Sequence, residues 1–282
     1  MGPRNLSSQQ AQPLNFEDIL SKEEYLICDT SITNYLTPHS YWIFPARNFS
    51  SIPSDFIEKE IESMKLFLEL LSSPKVLTTD GVSHEIKNAR NNIGDKIHFL
   101  SLREDHHLKG DERKRNNGKS DKRIKLEEIQ ELYHRSYEAS KILAFSPSQR
   151  QIYSFLEKIV LSVTRNTCAK IDYNLFYQPD RPKTEDFHTD EQLVAVALYL
   201  SSIEKKSGGV LTKDSDIKRI LRNTIFYLTH SKNQGYREMI NLLKDNGIRI
   251  YSQTGIWEAI LKFDSSWFDS VKMIIQPLKK SR

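Results

Sequence analysis

The chain predicts an α/β fold, a parallel sheet covered on both faces by helices. Three observations carry this. Short apolar runs (YLIC, KVLTT, GGVLT, GIRIYS) alternate with stretches of helical periodicity, the signature of strands joined by helical crossovers. Two of the runs pass straight into Asp (Asp29, Asp80) and a third reaches Asp214 two residues on, a residue type that favours turns and helix starts. The 282 residues are ample for a sizeable core, with 38% hydrophobic and 28% charged residues as in ordinary globular chains.

The elements follow in order. Residues 1–22 are expected to be a flexible tail, because MGPRNLSSQQAQPLN is polar and lacks the apolar segment of a secretory signal. YLICD marks a first buried strand over 24–29, running into a helix. Residues 53–73 predict an amphipathic helix, with Ile57, Ile61, Met64, Phe67, Leu68 and Leu71 at i, i+3, i+4 spacing. A second strand is expected at 75–79, then a turn at Asp80-Gly81 and a helix carrying Glu85. Residues 103–125 read as a mobile polar loop. Residues 126–166 return to helical periodicity, divided at Pro147. IDYNLFY, 171–177, is expected as a third strand, followed by a loop at Pro179 and Pro182. HTDEQLVAVALYLSS predicts a helix with Thr189 as N-cap, Gln192 completing a capping box, and Gly208 closing its end. VLT (210–212), a helix over 233–246 and GIRIYS (247–252) complete the pattern.

No apolar run approaches the roughly 18–20 residues a membrane helix needs. The two cysteines, Cys28 and Cys168, suggest neither a disulfide framework nor a zinc site, so Cys28 is expected as a small core residue and the chain as cytoplasmic. The net charge of +4 is local in origin. Between 109 and 125, eight basic side chains (Lys109, Arg113, Lys114, Arg115, Lys119, Lys122, Arg123, Lys125) face three acids, leaving about −1 elsewhere. Such a patch suits a phosphate backbone, and equally a solvated loop. Tyr133, Tyr137 and Tyr153 nearby suit base stacking or, at helical spacing, core packing. The His106-His107 pair is read as solvated.

Functional groups in a parallel sheet gather beyond the carboxyl ends of its strands. Asp29, Glu85, Asp190, Asp214 and Asp216 fall there by this reading. Carboxylates brought together repel unless a cation neutralises them, and hard oxygen donors suit Mg²⁺ or Mn²⁺. Each acid also has a plainer use. Asp29 can cap a helix, Glu85 can be solvated, Asp190 can complement a helix dipole, and Asp214 and Asp216 can be turn residues. Asp186 rivals Asp190, and His84 and His188 flank the acids as polar neighbours or proton carriers.

YLICDTSITNYL, VLTTDGVSHEIKNA, HTDEQLVAVALYLSS and VLTKDSDI, in this order, resemble the PIN-domain nucleases. The resemblance implies a three-layer α/β/α sandwich with a small parallel sheet, spanning 23–95 and 168–282, with 96–167 as a basic and helical insertion. It implies a metal-dependent nuclease, an endoribonuclease above all, with Mg²⁺ or Mn²⁺ as cofactor. Asp29, Glu85, Asp190 and Asp214 match the family's catalytic acids, Asp216 a further metal ligand, and Ser31 and Thr212 supporting polar positions. The basic run 109–125 would then hold nucleic acid. RNA is the implied partner, DNA an alternative, with a homodimer or an antitoxin-type protein as further partners and no membrane. Two other readings remain open: a silent binding module of the same fold, and a phosphatase-like enzyme with Asp29 as nucleophile, for which Ser31 occupies the place of the usual second Asp.

Overall fold

The computed structural model describes residues 14–33, 54–107, 121–167, 188–253 and 257–269. It is a mixed α/β protein, and it divides into two units. One comprises the chain up to Asp29 and from Leu143 onward; the other runs Thr30–Ile142. The expected division at 95/96 and 167/168 does not coincide with this one.

The first unit holds α1 (Phe16–Lys22), β1 (Tyr25–Cys28), α5 (Pro147–Thr167), α6 (Thr189–Ser202), β3 (Gly208–Leu211), α7 (Ser215–His230), α8 (Gln234–Asn246), β4 (Ile248–Gln253) and β5 (Trp257–Phe263). Its strands lie in the order β1-β3-β4-β5. The first three are parallel, in register from Tyr25↔Gly208 to Cys28↔Leu211 and from Gly208↔Ile248 to Leu211↔Tyr251. β5, which the sequence reading passed over, closes the edge antiparallel to β4, with an irregularity at Ile250/Tyr251. Every residue of β1 and β3 is buried, so both faces of these strands are covered.

The Gly208-Gly209 pair has a steric cause. A Cβ on Gly208 would lie 2.2 Å from the Tyr25 ring, and one on Gly209 would lie 2.6 Å from the Tyr251 ring. Successive strand residues face opposite sides, so one tyrosine lies over β3 on each face. Gly208 therefore opens a strand rather than closing the preceding helix, which ends at Ser202. The Tyr25 hydroxyl bonds Ala197 O at 3.2 Å and Ser201 Oγ at 2.7 Å, fastening α6 to the start of β1. α6 is buried almost all round because LVAVALYL offers no polar face. Its N-cap is His188, in the left-handed region at φ 48°, without a side-chain cap bond. Thr189, the expected cap, is the first helical residue.

Residues 16–22, expected as tail, form α1. Asn15 accepts from Asp18 N–H at 2.7 Å, Asp18 returns the bond, and Ile19 is fully buried beneath the helix. Just beyond it, buried Glu23 accepts from Arg249 Nη1 through both oxygens, at 2.8 and 2.9 Å, and from the Tyr251 hydroxyl. Burial first, then the bond to Glu23, pushes the Tyr251 phenol well above its usual range. Cys28 is a buried free thiol, pushed up by burial.

The second unit contains a 3₁₀ turn (Thr30–Thr33) where a helix was expected, then α2 (Ser54–Ser72), β2 (Val76–Leu77), α3 (Asp80–His107) and α4 (Asp121–Ala139). α3 runs unbroken through the expected boundary at 95/96, burying Val82, Ile86 and Ile93 on one stripe, and its end takes in residues 103–107 of the expected 103–125 loop. Pro147 stands at the first position of α5, where its missing N–H is harmless. Lys141 Nζ bonds Leu71 O at 2.6 Å and Ser73 O at 2.9 Å, satisfying carbonyls at the end of α2. The expected strand 171–177 lies outside the described residues, as do Cys168, Pro179, Pro182 and Asp186. Among the described residues no helix is long and apolar enough to cross a membrane.

Candidate acidic site at the strand ends

Parallel pairing carries Asp29 and Thr212 to the same end of neighbouring strands. Asp29 N–H bonds Leu211 O at 3.0 Å and Thr212 N–H bonds Tyr251 O at 3.0 Å, so each continues the ladder one residue past its strand. Asp29 is only 4% exposed and Thr212 is fully buried. The Thr212 hydroxyl donates to Asp29 Oδ2 at 2.7 Å and accepts from Asp214 N–H at 2.9 Å. Asp214 has extended backbone, φ −76° and ψ 129°, and its Oδ1 accepts from Asp216 N–H at 2.7 Å, capping α7. Asp216 in turn is paired with Arg219 one helical turn on. A single relay, Asp29–Thr212–Asp214–Asp216, thus spans the ends of β1 and β3.

Asp190 is half-buried in the first turn of α6. Ser201, near the other end of α6, bonds Tyr25 at the start of β1 and Gly247 O at the start of β4. The eleven residues between Asp190 and Ser201 span about 16 Å of helix, which carries Asp190 away from the strand starts. Its neighbour Glu191 is 1% exposed, an acid that sequence reasoning missed. The signal available was its place in the first turn of an otherwise apolar helix.

In the other unit, Glu85 is half-buried on α3 and accepts a short bond from the Thr30 hydroxyl. Ser31 is half-buried in the 3₁₀ turn. Among the described residues, no group of three or more acids, histidines or cysteines converges to hold a metal ion. The donor chemistry of Asp29 and Asp214 nevertheless fits Mg²⁺ or Mn²⁺, which commonly take one or two carboxylates and complete their shell with water and phosphate oxygens.

The basic run is only partly described. Lys109, Arg113, Lys114, Arg115 and Lys119 lie outside the described residues. Lys122 is half-buried, and burial lowers its pKa. Arg123 pairs with Glu127 at 3.1 Å and Lys125 with Glu58 at 2.5 Å, so these two cations serve the helices of their own unit. Tyr133 is a core residue bonded to Glu60 at 2.8 Å, and Tyr153 stacks on Phe145 at 4.6 Å; neither is a free stacking platform. Tyr137 is exposed. No protein-family model, no curated protein and no solved structure matches this chain.

Proposed function

We propose that the chain is a divalent-metal-dependent nuclease of PIN-like architecture, hydrolysing RNA phosphodiesters at the acidic end of its parallel strands. The observation that carries this reading is the relay Asp29–Thr212–Asp214, in which one buried hydroxyl bonds the Asp29 carboxylate and the Asp214 backbone N–H at the ends of adjacent parallel strands. Asp29 and Asp214 would hold the ion, with Asp190 and Asp216 as the further acids of this unit. Glu85 belongs to the other unit and is assessed by its own substitution. A bound Mg²⁺ or Mn²⁺ supplies Lewis-acid chemistry and offsets the charge of an incoming phosphodiester.

The chain's own groups do the positioning. The Thr212 O–H occupies one lone pair of Asp29 Oδ2 and fixes the rotation of that carboxylate. The Asp214 carboxylate is oriented by the first turn of α7, whose N–H groups and dipole favour negative charge there. Asp29 is almost sealed from water, so an ion held there would be little screened by salt.

The test is cleavage of labelled single-stranded RNA, hairpin RNA and single-stranded DNA in Mn²⁺, Mg²⁺ or EDTA. Asp29→Asn, Asp214→Asn and Glu85→Gln proteins are purified in parallel. Metal-dependent cutting that Asp29→Asn and Asp214→Asn abolish supports the reading; full activity in both variants sinks it. A second reading, a silent nucleic-acid or protein binding module, is favoured by one observation: no three metal-binding side chains converge among the described residues. It requires that calorimetry detect no Mn²⁺ binding and that acid substitutions leave nucleic-acid retention unchanged.

A further inference from the structure

The first unit carries a second surface with a different chemistry. α5 and α7 lie side by side: Asn223 Nδ2 bonds Thr167 Oγ1 at 3.0 Å at one end, and Phe155 meets Tyr236 at 6.2 Å just past the other. Along these two helices four large side chains are exposed, Ile152 at 40% and three aromatics. Phe155 is 52% exposed, Phe226 50% and Tyr227 51%. Phe155 and Tyr236 are thus neighbours by ring distance, and burial, then Tyr227, raises the Tyr236 phenol. Phe226 widens the face around α7, its ring 4.0 Å from that of His230.

Exposed rings of this size need an account, because a helix that exists only to cover a sheet puts its aromatic residues inward. The charge around them narrows the choice. α5 carries three basic residues against one acid, and α7 three against one. Lys158 stands one turn along α5 from Phe155, and Arg222 one turn along α7 from Phe226. Both cations are exposed, and neither makes an ion pair among the described residues. Protein-binding patches deplete lysine at their centre. Aromatic faces alternating with unpaired cations match a polyanion whose bases are free to stack, which a duplex does not offer.

We propose that this face of α5, α7 and the start of α8 binds single-stranded nucleic acid, with bases stacked on Phe155, Tyr227 and Tyr236 and phosphates held by Lys158 and Arg222. It is separate from the basic run 109–125, and it stands whether or not the acids at the strand ends cut. α7 joins the two places: Asp214 caps its start, and its later turns carry Phe226 and Tyr227 about 18–20 Å away along the helix. A strand long enough to reach both would be held at a distance from the carboxylates.

The experiment is fluorescence anisotropy of labelled 12-nucleotide oligo(U) and oligo(dT), in EDTA, at about 50 and 200 mM salt. The full chain is used, with Asp29→Asn in parallel. Phe155→Ala and Tyr236→Ala are each expected to weaken binding by about 5- to 150-fold, and Tyr236→Phe to retain it. Lys158→Gln and Arg222→Gln are each expected to reduce the log–log salt slope by about 0.7. Three outcomes overturn the proposal: no binding of either oligonucleotide at the lower salt, binding indifferent to both alanine substitutions, or a self-associated chain that Phe155→Ala dissolves in sedimentation. Because EDTA stops metal-dependent cutting, binding retained by an inactive Asp29→Asn supports this surface by itself. Binding by a wild-type chain that cuts nothing counts against the nuclease reading alone.

Discussion

Thr212 uses both halves of its hydroxyl, donating to Asp29 and accepting from Asp214 N–H, and it does so fully buried. Thr212→Val keeps the shape and removes both bonds, leaving a buried carboxylate short of a donor. The expected loss is about 1–3 kcal/mol in urea unfolding, and Thr212→Ser should recover most of it. If the nuclease reading holds, Thr212→Val should also cut activity by about 10- to 100-fold, as is usual when a partner that orients a metal-binding carboxylate is lost. A second residue reports on pH. Burial alone would raise the Asp264 carboxyl, but bonds from Lys262, Ser266 and the Trp267 N–H outweigh it and hold the pKa at about 2, against an ordinary 3.8. A depressed carboxyl contributes stability that is complete above the ordinary value and is lost as pH falls through about 2. Asp264→Asn should therefore cost about 1 kcal/mol at neutral pH, and progressively less as pH falls from the ordinary carboxyl value through about 2, measured by thermal unfolding across that range.

At the level of elements, β3 is the strand that two rings require to be glycine. Gly208→Ala drives a methyl into Tyr25, which cannot swing away without losing Ala197 O and Ser201. The expected cost is about 1–3 kcal/mol. The double variant with Tyr25→Leu should cost less than the two changes separately, a coupling that a mutant cycle reads directly. The same strand shows how much was legible beforehand. VLT at 210–212 announced a strand by its apolar run, and the Asp after it announced a helix start or a ligand, without distinguishing them. Asp214 caps α7, and the capping geometry leaves its ligand role to the cleavage and metal-binding tests. β5 escaped because WEAILKF alternates weakly and pairs antiparallel at an edge, where no βα pattern announces it. α3 was cut short because its apolar stripe thins beyond Ile93, although the helix continues to His107. The capping of α6 by left-handed His188 lay beyond propensity altogether, since residues with side-chain oxygens usually take that place.

For the molecule as a whole, the division into Thr30–Ile142 and the remainder should appear as two cooperative units. Arg249→Met leaves Glu23, buried at 1% exposure, without its cation. That is expected to cost about 3–5 kcal/mol, lowering hydrogen-exchange protection first in β1, β3 and β4 rather than in α2, α3 and α4. Uniform loss across both groups of elements would contradict the division. The sheet unit is assembled from two distant pieces of chain, and this has a consequence during synthesis. β1 leaves the ribosome early, yet the residue that Asp29 finally meets, Thr212, is made 183 residues later. At roughly 5–20 residues per second the strand YLIC waits about 10–40 s for its neighbour. All of Thr30–Ile142 emerges within that interval and can fold first. The apolar first strand meanwhile lacks the β3 edge it finally pairs with, so the nascent chain's exposure to chaperones and to aggregation should fall once β3 appears.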